Sequence, residues 1–321
     1  MKHNILLTAV LILVGTVTVF TANAADAPPD TVRTGIYVTS IHDIDFKQKE
    51  YSLNCWVWFK YKNKEFDFLQ NLEVPQAKTV TKSFSTIDTT DGVYILMKLQ
   101  CVMKDAWKIS NFPFDRQNLR LSFENSQYDS RALVFAADTA GNNYDPRFVV
   151  SGWKIDSFNI NPGIKIYETA FGDESYEKPR SEYSAFRVKI GLKRDAGGLF
   201  WKMFLGMYVA FLIAFVCFYI HADSIDSRFG LSVGSLFAVI GNKYIIDSAL
   251  PESTSFTLVD TLHGLTLLFI FSVITCTAIT LKLIKDNKVQ QSKRFDFIAA
   301  KVLLLTYVAL NIYFIYVADS N

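Results

Sequence analysis

The chain has four histidines, at 3, 42, 221 and 263, and four cysteines, at 55, 101, 217 and 276. Nucleophilic or metal chemistry would have to rest on these residues, and they are scattered. No histidine is spaced as the base of a nucleophile, and no group of His, Cys, Asp and Glu has metal-ligand spacing. The sequence therefore predicts no enzyme, no metal site and no cofactor. A different chemistry is legible near the end of the chain. Gly230, Gly234, Phe237, Gly241, Tyr244 and Ser248 step by 4, 3, 4, 3 and 4 residues, which keeps them on one helical face. The other positions are mostly apolar, including Leu231, Leu236, Val239 and Ile246, while Asp226 and Arg228 bracket one end and Lys243 and Asp247 the other. Two readings fit a small, polarisable stripe on an apolar helix. Small residues let membrane helices approach closely. Alternatively, several copies place the stripe on a water-filled axis that passes ions, where a charge inside a membrane segment faces the cavity or a partner.

Such a helix needs a membrane and a domain to control it, and the composition supplies both. The 321 residues are half apolar, and 33 basic against 31 acidic side chains leave a net charge of +2. That balance gives no reason to expect nucleic acid as a partner. Residues 1–24 read as a secretory signal peptide, with an apolar run closed by Ala22-Asn23-Ala24. Residues 25–197 are strand-rich. Runs at 34–40, 51–61, 94–103, 119–123, 132–137, 152–160 and 184–192 carry β-branched and aromatic residues, with turn residues such as Asp91-Gly92 and Asn161-Pro162-Gly163 between them. Many short strands punctuated this way predict an antiparallel, immunoglobulin-like β-sandwich. Residues 198–321 turn apolar, with spans expected at about 199–220, 229–247, 258–284 and 296–317. The segment joining the last two carries Lys282, Lys285, Lys288, Lys293 and Arg294 against Asp286, the basic loop expected on the cytoplasmic side. The expected location is thus the cell (inner) membrane, multi-pass, with the N-terminal domain outside the cytoplasm. Cys55 and Cys101 lie in the exported part, where a disulfide and two buried thiols are both allowed.

Four stretches give the pattern a family resemblance. NFPFDRQNL (111–119), SGWKIDSF (151–158), TGIYVTSIHDIDFKQKEYSLN (34–54) and SALPESTS (248–255) stand in order along the chain. In that order they resemble the pentameric ligand-gated ion channels of the Cys-loop superfamily, and most of all their prokaryotic, proton-gated members. The resemblance implies a homopentamer in membrane lipid that conducts inorganic ions in response to an unknown small-molecule agonist or to protons. It implies a pore lined by Gly230, Gly234, Phe237, Gly241 and Tyr244, with a hydrophobic gate at Phe237 and selectivity set by Asp226 and Asp247, on balance for cations. Phe112, Pro113, Phe114 and Asp115 would form a loop that couples the sandwich to the helices, with Asp45, Arg194 and Pro251. A structural ion network at a domain boundary explains the same charges. Phe123, Glu124, Ser126 and Tyr128, with Tyr176 and Tyr183 of a capping hairpin at 172–184, correspond to ligand-binding loops; ordinary surface aromatics remain the alternative. The two cysteines that name the superfamily fall at Asp105 and Leu119, so this loop is not closed by a disulfide. The three glycines and Lys243 on the second span also suit a non-conducting pentameric sensor that keeps the fold.

Overall fold

The computed structural model describes residues 28–141, 143–172, 174, 179–221 and 223–320. The expected signal peptide and Tyr176 lie outside them.

Alternation builds the first half. In β2 (Glu50–Tyr61) and β5 (Val93–Lys104) every second residue is buried, so one face of each strand enters a core and the other does not. The two pair antiparallel, and β1 (Asp30–Asp45) pairs with the other edge of β2. One sheet runs β4-β5-β2-β1-β7, with β4 at Ala77–Asp88 and β7 at Leu133–Ala137. The second runs β3-β6-β10-β8, with β9 also paired to β10. Its strands are β3 (Leu72–Glu73), β6 (Arg116–Asn125), β8 (Trp153–Ile160), β9 (Gly163–Tyr167) and β10 (Ser181–Arg194). Ile36, Leu53, Phe59, Leu99, Phe123 and Phe186 fill the space between the sheets.

The sandwich is as expected, with two differences. The pairing of β1 with β7 is parallel, because β7 arrives from the opposite sheet and lies along β1 in the same direction. β4 is a strand that the residue pattern does not announce. It is an edge strand exposed along almost its whole length, so no burial imposes alternation on its sequence. Cys55 and Cys101 are free buried thiols. Their strands are in register with Cys55 opposite Leu99 and Cys101 opposite Leu53, so the two sulfurs are offset rather than paired. Burial pushes the Cys101 thiol up to about 12, and Cys55 well above its ordinary value.

Four long helices follow. They are α1 (Ala196–Phe215), continued by a 3-10 turn at Val216–Tyr219, α2 (Ile225–Ala249), α3 (Leu258–Lys285) and α4 (Val289–Ser320). Each is long and apolar enough to cross a membrane, and α2 is the least apolar of the four. The chain is a multi-pass membrane protein with four candidate spans. α3 begins at a capping box, in which Thr257 and Asp260 satisfy each other's backbone N–H groups. α4 starts earlier than its apolar run suggests. The basic residues Lys293 and Arg294 already lie on it, and the connection from α3 shrinks to a turn at 286–288. The helices have a core of their own, including Phe204, Met207, Phe211, Val239, Leu262 and Ile270. Two residues from the sandwich side belong to it: Ile109 and Phe112.

Candidate functional site

Those two residues flank and begin the F-P-F-D turn, so the turn reaches from the sheet that carries it into the helix core. Phe114 meets Phe200 of α1, ring centroids 5.5 Å apart. Ser110 O accepts the backbone N–H of Leu258 at the start of α3, at 2.8 Å. Asp115 closes the turn from the sandwich side. Arg194, the last residue of β10, donates from Nε to Asp115 Oδ1 at 2.6 Å and from Nη2 to Oδ2 at 3.2 Å. The pair is buried, with Asp115 1% and Arg194 11% exposed, and the bidentate geometry fixes both planes. The guanidinium lies 4.0 Å from the Trp153 ring and 4.8 Å from those of Phe46 and Phe112. Cation–π attraction therefore replaces part of the hydration that the arginine loses. Gln117 completes the loop by bonding both Lys108 backbone groups and the Asp115 carboxylate. Where a disulfide would stand at the loop's neck, Asp105 accepts instead from the side chain and the backbone N–H of Arg120.

Asp45 has a different local partner. Its carboxylate accepts the Gln48 backbone N–H at 2.7 Å and caps the β1–β2 turn. Among the described residues no ion pair joins it to Arg194, though both line one cleft of about 740 Å³ beside Met203, Asn242 and Leu250. Pro251 is buried in the α2–α3 connection. Phe46, Trp153 and Gln117 are junction residues that sequence reasoning did not single out. All three lie inside the stretches quoted for the resemblance, but only the fold shows that they gather around the Asp115–Arg194 pair.

On α2 the stripe faces away from its own bundle. Gly230, Gly234, Gly241 and Ser248 are exposed, as are Phe237 at 66% and Tyr244 at 76%, while Ser232, Ser235, Val239 and Ile246 face inward. A Cβ built on any of the three glycines would meet nothing within 4 Å. Their small size is therefore not required by packing within this chain. The charges at the two ends differ in state. Arg228 is buried and paired with Asp296 of α4 at 2.8 Å. Lys243 is held between Asp247, one turn on, and Asp260 of α3 at 2.8 Å. Asp226 is exposed, one turn before Gly230 on the same face. Inside the bundle, Asn242 Nδ2 donates to Met203 O at 3.2 Å, and Asn242 Oδ1 faces His263 Nε2 at 2.9 Å. This polar stitch joins α1, α2 and α3 at one level.

The expected ligand-loop residues separate into two environments. Phe123 is in the sandwich core against Phe186, and Tyr128 packs on Phe66 with its hydroxyl donating to Glu65 O. Ser126 bonds Asn71 O. Glu124 and Tyr183 instead meet around Tyr167. The Tyr167 hydroxyl donates to Glu124 Oε2 at 2.8 Å, and the rings of Tyr167, Phe171 and Tyr183 pack edge to face at 5.4–6.4 Å. Tyr167 and Phe171 were not foreseen; their only sequence signal is their closeness to the hairpin. A buried carboxylate beside exposed aromatic faces can hold an organic cation. Burial raises the Glu124 carboxyl above its ordinary value, with Glu73 adding to it and the Tyr167 hydroxyl opposing. A raised carboxyl favours the folded state below its unfolded value, and that contribution fades as pH climbs through the folded one. Glu124→Gln is therefore expected to raise the melting temperature relative to the parent near neutral pH, and to lose that advantage in acid. Parallel thermal melts of the two proteins across pH check this; a difference independent of pH would contradict it.

No protein-family model matches the chain. A proton-gated ion channel of Gloeobacter violaceus is 20% identical over 264 residues, covering 76% of this chain and 70% of that protein. The gamma-aminobutyric acid receptor subunit alpha-2 of Bos taurus is 19% identical over 268 residues, 76% of this chain and 58% of the receptor subunit. An acetylcholine-gated chloride channel subunit of Caenorhabditis elegans, acc-2, is 25% identical over 186 residues, 58% of this chain and 40% of that subunit. The chain thus spans less than two thirds of the two animal subunits. Of the three, the first and third are named as ion channels and the second as a receptor subunit. With a two-sheet sandwich followed by four apolar helices, the chain is a homologue of the pentameric ligand-gated ion channels of the Cys-loop superfamily.

Proposed function

We propose that the chain assembles as a homopentamer in the cell membrane, with its sandwich outside the cytoplasm, and forms a gated, cation-selective pore lined by α2. One observation carries the reading: the stripe of Gly230, Gly234, Phe237, Gly241 and Tyr244 is the face of α2 that its own bundle leaves uncovered. Five copies around an axis would turn that face to water. The large apolar residues exposed on α1, α3 and α4, such as Leu205, Phe271 and Leu305, would meet neighbours and lipid. Opening is initiated in the sandwich, by an agonist held near Glu124, Tyr167 and Tyr183 or by protons. It reaches α2 through the Phe112–Pro113–Phe114–Asp115 turn and the segment containing Pro251. His263 belongs to the polar stitch that ties the helices together: its Nδ1 faces Val259 O at 2.8 Å and its Nε2 faces Asn242 Oδ1 at 2.9 Å.

The lean toward cations comes from which charges are free to face the axis. Arg228 is turned inward and Lys243 is neutralised by two carboxylates, which leaves Asp226 as the exposed charge at the start of the stripe. Five aspartates at one level favour cations electrostatically. Asp226→Asn is expected to lower the cation-to-anion permeability ratio several-fold, roughly the effect of ~1 kcal/mol in the pore. Reversal potentials in a salt gradient check this; an unchanged ratio would remove Asp226 from that role.

A further inference from the structure

The outward face of β6, β10 and β8 carries charge of one sign. Along β6 and β10 buried and exposed residues alternate, so one set points away from the core. Register sets Lys193 opposite Arg116 on one side and Lys154 on the other, and Lys189 opposite Arg120. All five side chains are exposed. Among the described residues no ion pair holds Arg116, Lys154, Lys189 or Lys193. Arg120 is bonded to Asp105 and still keeps 56% of its side chain exposed. Between 116–122, 153–160 and 187–194 the three strands contain a single acidic residue, Asp156. Like charges directly opposite on neighbouring strands repel, so the arrangement costs stability until an anion sits among them.

The cations form two rows with a low strip between them. In the strip Gly191 stands opposite Asn118 on one side and Ser157 on the other. A Cβ on Gly191 would lie 2.4 Å from Ser157 Oγ, so the strip stays shallow where β8 crosses it. Two residues of strand, about 6–7 Å, separate it from each row, a distance that lysine and arginine side chains span. Charge complementarity therefore calls for a linear polyanion lying across the strands. A folded protein would want an apolar or aromatic anchor, and a single-stranded nucleic acid a ring to stack on. The rows and the strip hold neither. An anionic membrane around α1 would meet the row of Arg116, Lys193 and Lys154, but the row of Arg120 and Lys189 is four residues, about 13 Å, farther up the strands. Asn118, Ser157 and Asn159 instead offer the amide and hydroxyl groups that pair with sugar hydroxyls.

We propose that the strip over Gly191 binds a linear acidic polysaccharide, its carboxylates held between the row of Arg120 and Lys189 and the row of Arg116, Lys193 and Lys154. Access to such a polymer outside the cytoplasm rests on the orientation proposed for the sandwich; the binding chemistry does not, and it is independent of whether the stripe conducts. The test titrates the full chain in detergent with an octamer of mannuronate, followed by calorimetry. Maltooctaose serves as the uncharged glycan and octaglutamate as an octa-anion without sugar. The mannuronate octamer is expected to bind several-fold more tightly than octaglutamate, and maltooctaose not to bind. Lys189→Gln is expected to weaken the octamer several-fold, and Lys154→Gln with Lys193→Gln to weaken it further. Lys62→Gln with Lys64→Gln, exposed and outside this face, controls for net charge and is expected to leave binding unchanged. No binding of the mannuronate octamer overturns the proposal, and so does equal affinity for octaglutamate, which would make the face a general anion surface. An effect of Lys154→Gln with Lys193→Gln but none of Lys189→Gln also overturns it, because the row beside α1 alone is what a membrane would use. Equal weakening in the Lys62→Gln, Lys64→Gln control would do the same, by assigning the effect to net charge.

Discussion

Arg194→Gln is expected to destabilise the protein by about 3–5 kcal/mol, because it leaves the Asp115 carboxylate buried without its partner. Asp115→Asn is expected to cost a similar amount for the reciprocal reason. The two together should cost clearly less than the sum, with a coupling energy above ~1 kcal/mol, since the charges interact mainly with each other. An exposed ion pair would give ~0–1 kcal/mol in the same cycle. What sets this pair apart is its burial and its three aromatic neighbours, Phe46, Phe112 and Trp153. Its position adds a second consequence. Arg194 ends β10, α1 begins at Ala196, and the Asp115 turn carries Phe112 into the helix core. Either single variant is therefore expected to depress evoked current at matched surface expression. Additive, small effects on stability in denaturation of the purified protein would contradict the pair's role at the junction.

Phe237→Ala is expected to raise resting ion leak about tenfold or more. In a pentamer, five Phe237 rings would stand at one level of the axis, where an apolar constriction closes by excluding water rather than by plugging the bore. Its neighbours on the stripe, Gly234 and Gly241, have no side chain with which to narrow the passage. The readout is unstimulated cation flux from liposomes, compared with Val302→Ala on the exposed face of α4 as a control. A leak in Phe237→Ala alone supports the gate. An unchanged leak would remove Phe237 from that role.

What could be read from the sequence follows the physics of each element. The spans were legible because lipid demands long apolar runs, and β2 and β5 because a half-buried sheet demands alternation. β4 was not, since neither of its faces is buried and nothing constrains its pattern. The α2 stripe was legible as periodicity alone; which way it faces depends on the other helices. The state of Lys243 was hidden for the same reason, because Asp260 lies on α3 and only the packing of two helices brings them together. At the junction, Asp115 and Arg194 were expected together by family resemblance, whereas Asp45 satisfies its own turn first. The aromatic cage around Arg194 draws on three separate segments. The Glu124–Tyr167 contact joins two strands of one sheet that are not neighbours in sequence. Such groupings carry no local signature.

The central claim is that the stripe of α2 lines water. Gly241→Cys, probed in intact membranes with a membrane-impermeant charged thiol reagent, tests it without knowledge of the agonist. The comparison is Leu268→Cys on the exposed apolar face of α3. A water-lined stripe requires rapid labelling of Gly241→Cys and little or none of Leu268→Cys above the parent protein. Labelling at Leu268→Cys but not at Gly241→Cys would place the stripe in lipid or in a dry helix contact, and the pore reading would fail.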